Sequence, residues 1–145
     1  MTNLRKKRVL MKVVPLGLAL FWNTGLFAAN DKDMTTEYST CAGNSEGVTS
    51  KILNCISAEL DQQDSRLNEA YKKLMSKLPK NRKRSLVEAQ RAWIKFRKAN
   101  CSFYHDPNGG SAAHLASNEC FLNATVDRAK ELEDRAKELE KLLSD

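Results

Sequence analysis

The sequence lacks the short motifs by which several enzyme classes are recognised. It has no glycine-rich phosphate loop and no His-Glu-x-x-His metal-protease motif. Histidine is scarce, with two residues in a chain of 145. We therefore predict that the protein is not an enzyme and that it binds no cofactor and no metal ion.

An apolar run long enough to span a membrane is also missing. Residues 13–27 are mostly apolar, but the run is short and is interrupted by Pro15 and by Asn23–Gly25. A basic segment precedes it and a small residue ends it, which predicts a cleavable signal peptide over residues 1–28, with Ala29 as the alternative cut. No cysteine lies near the cut. We therefore expect a periplasmic or secreted protein with no lipobox and no membrane span after cleavage.

Net charge is low once the predicted signal peptide is removed. The whole chain has 24 Lys and Arg against 18 Asp and Glu, a net charge of +6. Five of the basic residues and none of the acidic ones lie in residues 1–28, which leaves 19 against 18, or +1. The apparent basicity therefore gives no argument for binding to nucleic acid.

An even number of cysteines is typical of disulfide bonding in a short exported chain. The four are Cys41, Cys55, Cys101 and Cys120. We predict Cys101–Cys120 and Cys41–Cys55, while Cys55–Cys101 with Cys41–Cys120 remains an alternative.

A metal site is a further alternative in the same region. By spacing alone, Cys101 and Cys120 could bind zinc together with His105 and His114. An oxidising compartment favours the disulfide, and we expect the two histidines to be ordinary loop residues.

Residues 29–48 form a polar segment, which we predict to be a flexible lead-in tethered by Cys41. After this segment, leucines recur every seven residues. The leucines are Leu53, Leu60, Leu67 and Leu74. This spacing predicts a long helix that is capped by Thr49 or Ser50 and stopped by Pro79.

The second predicted helix covers residues 81–104 and returns antiparallel, because the link is short. One of its stripes consists of Leu86, Ala89, Trp93, Phe96 and Asn100. Antiparallel pairing brings Asp64 to Arg97, Asn68 to Trp93 and Tyr71 to Gln90. The predicted structural core therefore comprises Asp64, Leu67, Asn68, Tyr71, Gln90, Trp93 and Arg97.

A loop rich in turn-forming residues, 105–111, leads to a third predicted helix. The sequence Arg-Ala-Lys-Glu-Leu-Glu occurs at residues 128–133 and again at 135–140. We interpret residues 133–145 as a charged helical extension; an Ala/Leu seam that supports weak self-association is the alternative. The predicted fold is thus all-α, a long antiparallel helix hairpin plus a third helix, stabilised by disulfides.

The motifs together resemble the LprI-like lysozyme-inhibitor domain family of small exported bacterial proteins. They are Cys41, Cys55, Asp64-x-x-Leu67-Asn68-x-x-Tyr71, Ala89-Gln90-Arg91-x-Trp93-x-x-Phe96-Arg97, Cys101, Gly109-Gly110-Ser111, Cys120 and Thr125-x-x-Arg128-x-x-Glu131-Leu132. The resemblance covers roughly Cys41 to Leu132, most of the predicted mature chain, and includes the predicted helical domain, residues 49–132. It implies a disulfide-bonded helical domain of the cell envelope and, for some members, inhibition of lysozyme. The duplicated extension departs from the family pattern.

If the protein binds lysozyme or another envelope protein, the loop is the expected contact. A loop held rigid by a nearby disulfide loses little entropy on binding. The predicted target-binding residues are Asp106, Asn108, Gly109, Gly110 and Ser111. The alternative is a structural or partner-binding helical module without inhibitory activity, with the charged third helix as its contact.

Overall fold

Four helices make up the part of the chain, residues 33–144, that the computed structural model describes. They are α1 (Thr36–Gly43), α2 (Thr49–Lys77), α3 (Lys80–Phe103) and α4 (Gly110–Ser144). There is no strand in this part of the chain, and two disulfides link the helices, so the all-α prediction is confirmed. The predicted signal peptide lies outside the described residues. No helix between residues 33 and 144 is long and apolar enough to cross a membrane.

Part of the segment predicted to be a flexible lead-in, Thr36–Gly43, instead forms helix α1, while residues 29–32 lie outside the described part. The Thr35 hydroxyl oxygen accepts a hydrogen bond from the Tyr38 N–H at 3.1 Å, which caps the helix. The backbone N–H of Thr35 donates to the buried carboxylate of Glu59 on α2 at 3.0 Å, and the Thr35 hydroxyl donates to its second oxygen. A buried carboxylate is stable only when it accepts such hydrogen bonds. The hydrogen bonds from Thr35 to Glu59 therefore order α1, in addition to the disulfide of Cys41.

The ends of α2 and α3 follow largely from Pro79. The residue before a proline is driven out of the helical region, and Leu78 is extended with ψ of 145°. Helix α3 begins directly afterwards at Lys80, with Pro79 in the N-cap position. At the other end of α2 the prediction was wrong: Thr49 is the first helical residue, and the N-cap, Val48, makes no side-chain hydrogen bond.

Helix α4 packs along α2, and this pair forms most of the core. The two helices run parallel, since Arg66 pairs with Glu133 and, further along both helices, Lys77 pairs with Glu140. The main cluster of buried side chains consists of Leu67, Ala70, Leu74, Ala129, Leu132 and Ala136. The small alanine side chains allow the two helices to approach closely, so leucines of the seven-residue repeat in α2 pack against α4.

Helix α3 is an antiparallel neighbour of α2 in the chain but is held chiefly by α4. Its half-buried Leu86 and Trp93 pack on the main cluster from the side. A second cluster lies nearer the start of α2, where Ile56 packs on Leu122 and Val126. The hairpin interpretation therefore gave the order of the helices correctly and their closest pairing incorrectly.

The duplicated segment is a continuation of α4 and packs on the core. Ala136 is fully buried, Leu139 packs on the main cluster, and Glu140 accepts ion pairs from Lys73 at 3.2 Å and Lys77 at 2.9 Å. Most of the predicted extension thus belongs to the same packed unit as residues 49–132.

A bidentate ion pair joins α2 to α4 beside the core. Arg66 donates to the two carboxylate oxygens of Glu133 at 2.7 and 2.8 Å, and Asp33 lies 3.6 Å from the same guanidinium. The hydrogen bond from Arg66 holds the pKa of Glu133 below its ordinary value. The Glu133 carboxylate therefore binds a proton less readily in the folded state than in the unfolded chain. As a result, the ion pair stabilises the fold at pH values above the ordinary pKa of glutamate, and this stabilisation is lost as the pH falls through the acid range.

Glu133→Gln is therefore expected to lower the free energy of unfolding at neutral pH by about 1 kcal/mol. The difference from the unmodified protein should shrink as the pH falls through the acid range and should vanish once the carboxylate is protonated in the folded state as well. Urea unfolding at several pH values measures it. The matched control is Glu138→Gln, since the Glu138–Arg135 pair is exposed on both sides and should contribute little. A Glu133→Gln deficit that persists in acid would contradict the assignment.

Candidate target-binding site

The predicted target-binding loop protrudes between α3 and α4 and is wound by local hydrogen bonds. The Asp106 side chain accepts from the Asn108 N–H at 2.8 Å, and its carbonyl accepts from the Gly109 N–H at 3.0 Å. The N–H of Asp106 in turn donates to the Tyr104 carbonyl at 3.1 Å. Residues 104–108 are all exposed. The loop thus combines a defined backbone with an accessible surface.

Two glycines set the path of the chain into α4. A Cβ on Gly109 would lie 2.5 Å from Cβ of Ala113 and 3.2 Å from Cβ of Asp106, so a larger residue does not fit. Gly110 has a φ of +59°, a left-handed conformation that side-chain-bearing residues rarely adopt. Ser111 is exposed in the first turn of α4.

The Cys101–Cys120 disulfide fixes the base of the loop. It joins the last turn of α3 to α4 with a Cα–Cα distance of 5.4 Å, and Cys101 is completely buried. The hydroxyl of buried Ser117 donates to the Cys101 carbonyl at 2.9 Å, which adds a second link between the helices. The loop therefore closes a segment whose base is formed by the last turn of α3 and by Ser117 and Cys120 of α4.

The second disulfide, Cys41–Cys55, joins α1 to α2. Of the two pairings that the sequence left open, the structure thus has Cys41–Cys55 with Cys101–Cys120. Because Cys101 and Cys120 are bonded to each other, neither thiol is available to bind zinc together with His105 and His114. The rings of His105 and His114 meet edge to face at 5.4 Å. Within residues 33–144, no cluster of three or more metal-ligating side chains is found.

Arg97 connects the three long helices under the loop. Its Nη1 lies 3.3 Å from the Asp64 carboxylate on α2 and donates to the hydroxyl of fully buried Thr125 on α4 at 2.6 Å. Its guanidinium lies 4.7 Å from the centre of the Trp93 ring and 5.9 Å from that of Phe121. The predicted approach of Asp64 and Arg97 is present, but Asp64 remains 46% exposed. The buried contact of Arg97 is therefore with Thr125.

Trp93 is flanked by two arginines. Arg128, on α4, lies 5.9 Å from the ring on a side chain that is 9% exposed, and its Nε donates to Gln90 Oε1 at 3.0 Å. Gln90 thus pairs with Arg128 and not with Tyr71, because α4 stands between α2 and this face of α3. Tyr71 is half-buried on the main cluster, whereas Asn68 is exposed and lies outside the core, contrary to the prediction.

Three exposed aromatic side chains near the loop were missed by the sequence interpretation. Phe96 is 63% exposed, Phe103 82% and Tyr104 47%. The first two lie on the outer side of α3. The spacing of three and four residues correctly predicted that Phe96 and Trp93 lie near each other on α3. Phe96, however, lies outside the part of the helix surface that is buried.

The segment Gly43–Gly47 carries a Gly-x-Ser-x-Gly pattern, which in hydrolases marks a nucleophile on a strand-to-helix turn. Here helix α1 precedes it, and Ser45 is 4% exposed. No hydrogen bond joins its side chain to His105 or His114, the two histidines of the described part. The pattern therefore lacks the setting that this chemistry requires.

An open groove of about 700 Å³ lies at the opposite end of the domain, near the α2–α3 turn. Leucines from three helices line it, among them Leu74, Leu86 and Leu139. Its two carboxylates are each paired with an arginine: Glu131 with Arg128 at 2.7 Å and Glu138 with Arg135 at 3.0 Å. The groove is separate from the predicted loop.

The comparison with protein families matches residues 29–132 to the family described as Lysozyme inhibitor LprI. No match was found among curated proteins or among solved structures. The matched range includes α1, α2, α3, both disulfides and the part of α4 that contacts Trp93 and Arg97. It covers well over half of the chain, and the protein therefore belongs to the LprI family.

Proposed function

We propose that the protein is an exported envelope protein that inhibits a lysozyme-type glycosidase by inserting the loop between α3 and α4, residues 104–109, together with Gly110 and Ser111 of α4, into the enzyme's groove. The family membership supports the activity. The structural observation that supports the site is an exposed loop closed by two links, the Cys101–Cys120 bridge and the hydrogen bond from Ser117 to Cys101, which join the end of α3 to α4.

The rigidity of the loop favours tight binding. Association is opposed by the ordering of flexible groups, and a loop that is already fixed avoids most of this cost. Here the Asp106 turn, the close packing of Gly109 on Ala113 and the disulfide together restrict the backbone. Such an element can fill a concave site without being reorganised.

The chemistry of the loop suits a groove that contains two carboxylates. Glycosidases of this type cleave with paired acidic side chains on either side of the bond. The Asn108 amide and the Ser111 hydroxyl supply exposed donors. The N–H groups in the first turn of α4 have no acceptor within their own helix, and the helix dipole makes this end favourable for anions.

Charge is expected to play a secondary part. Lysozymes are generally cationic, and Asp106 and Glu119 are exposed acidic residues at this end of the domain. The predicted mature chain is nearly neutral, so we expect shape and local hydrogen bonds to dominate over long-range steering. We further propose that residues 1–28 direct export and are removed, and that the protein has no catalytic activity of its own.

Inhibition assays on loop variants test the proposal. The oxidised mature chain at micromolar concentration should slow the lysis of bacterial cell walls by at least one lysozyme of a panel. Asp106→Ala and Asn108→Ala should each weaken inhibition about tenfold, the effect of losing one well-placed contact. Turbidity assays at increasing inhibitor concentration provide the inhibition constants.

Asn81→Ala is the matched control, because Asn81 is an exposed asparagine at the opposite turn. It should inhibit as the unmodified chain does. Failure of the unmodified chain to inhibit any lysozyme would refute the function, and equal inhibition by loop and control variants would refute the site.

A further inference from the structure

Helix α3 has a charge quite unlike that of its neighbour α4. It contains eight Lys and Arg residues and one Glu, a net charge of +7 over Lys80–Phe103. Helix α4 contains five Lys and Arg against seven Asp and Glu, a net charge of −2. The near-neutral total of the mature chain therefore hides a strongly basic element on one side of the domain.

The cations of α3 are arranged along its outer face. Six of the eight are exposed: Lys80 and Arg82 lie in the first turn, and the other four, Arg84, Arg91, Lys95 and Lys98, follow the outer face. Among the described residues, none of these four lies within ion-pair distance of a carboxylate, in contrast to Arg97, which points inward to Asp64. Their charge is thus available to an external anion.

An apolar stripe runs beside these cations. Ala92, Phe96, Ala99 and Phe103 follow one another at steps of four, three and four residues, which places them on one side of the helix. All four are exposed, and the two phenylalanines are 63% and 82% exposed. Single exposed apolar residues are common, but an aligned stripe that no other helix covers indicates a contact surface.

We propose that this outer face of α3 docks the protein on the surface of an anionic lipid bilayer. Phe96 and Phe103 would enter the boundary between head groups and acyl chains, while Arg91, Lys95 and Lys98 contact lipid phosphates. A basic face beside an apolar face is the composition of helices that lie in the plane of a membrane surface. The outer face of α3, a helix of 24 residues, suits an extended anionic partner, and its charge would repel a cationic lysozyme. The proposal does not rest on the inhibitory function.

Vesicle binding provides the test. The oxidised mature chain should sediment with vesicles that contain phosphatidylglycerol, should sediment much less with vesicles of phosphatidylcholine alone, and should be released by high salt. The variant Arg91→Gln/Lys95→Gln/Lys98→Gln should lower the partition coefficient roughly a hundredfold, since each cation contributes a factor of about five near an anionic surface. Phe96→Ser/Phe103→Ser should lower it at least about tenfold.

The matched control, Lys51→Gln/Lys137→Gln/Lys141→Gln, removes the same charge from α2 and α4 and should bind nearly as the unmodified chain does. Trp93 emission reports folding independently, because that ring faces the core. The proposal is overturned if the chain ignores anionic vesicles or if the α3 variant and the control bind equally. It is also overturned if the phenylalanine variant binds undiminished, or if soluble polyglutamate is bound as tightly as vesicles, since both indicate attraction to any polyanion.

Discussion

Replacing Cys101 and Cys120 together by serine is expected to lower the free energy of unfolding by about 3 kcal/mol. The bridge spans a sequence separation of 19 residues, and its removal restores chain entropy to the unfolded state. It also leaves a polar hydroxyl at the fully buried position of Cys101. Urea unfolding followed by circular dichroism measures the change.

The Cys41→Ser/Cys55→Ser variant is the natural comparison. Its bridge spans a separation of 14 residues, so the entropic loss should be similar, again about 3 kcal/mol. Hydrogen exchange should separate the two variants, because only the loss of Cys101–Cys120 should increase exchange of the amides in residues 104–109. Equal exchange of these amides in both variants would show that the loop does not depend on the bridge beneath it.

Arg97→Leu is the second substitution with a large expected effect, a loss of about 2–3 kcal/mol. It removes the charged hydrogen bond to Thr125 and the contact with the Trp93 ring, and it leaves a buried hydroxyl with one partner fewer. Urea unfolding measures the loss. Without the predicted signal peptide, which contains Trp22, Trp93 is the single tryptophan, so its emission should also shift to longer wavelength as water reaches the ring.

Asp64→Asn separates the two roles of Arg97. Asp64 is 46% exposed, so its ion pair with Arg97 should contribute less than about 1 kcal/mol. If Asp64→Asn instead destabilises the protein as much as Arg97→Leu does, the ion pair dominates. The assignment of the inner contact to Thr125 and Trp93 would then be wrong.

Features set by one or two neighbouring residues could be predicted from the sequence. The stop at Pro79 follows from a local steric conflict, and the helix lengths follow from apolar periodicity. The approach of Asp64 to Arg97 followed from antiparallel counting about a short turn. The two disulfides were expected from the even cysteine count, although spacing alone did not choose between the pairings.

Features that depend on which helix faces which could not be predicted in the same way. Gln90 was assigned to Tyr71 because two helices were considered, whereas Arg128 on α4 takes that place. Helix α1 was missed because its order comes from Glu59, a buried acid 24 residues further along the chain. The outer stripe of α3 was missed because periodicity shows that residues share a face and does not show whether that face is covered.

The most direct test of the proposed function compares lysozyme inhibition by the two disulfide variants at a temperature at which both are folded. The loop account predicts that Cys41→Ser/Cys55→Ser inhibits nearly as well as the unmodified chain, while Cys101→Ser/Cys120→Ser is at least about tenfold weaker, because flexible loops must be ordered on binding. Equal inhibition constants for the two variants would contradict it.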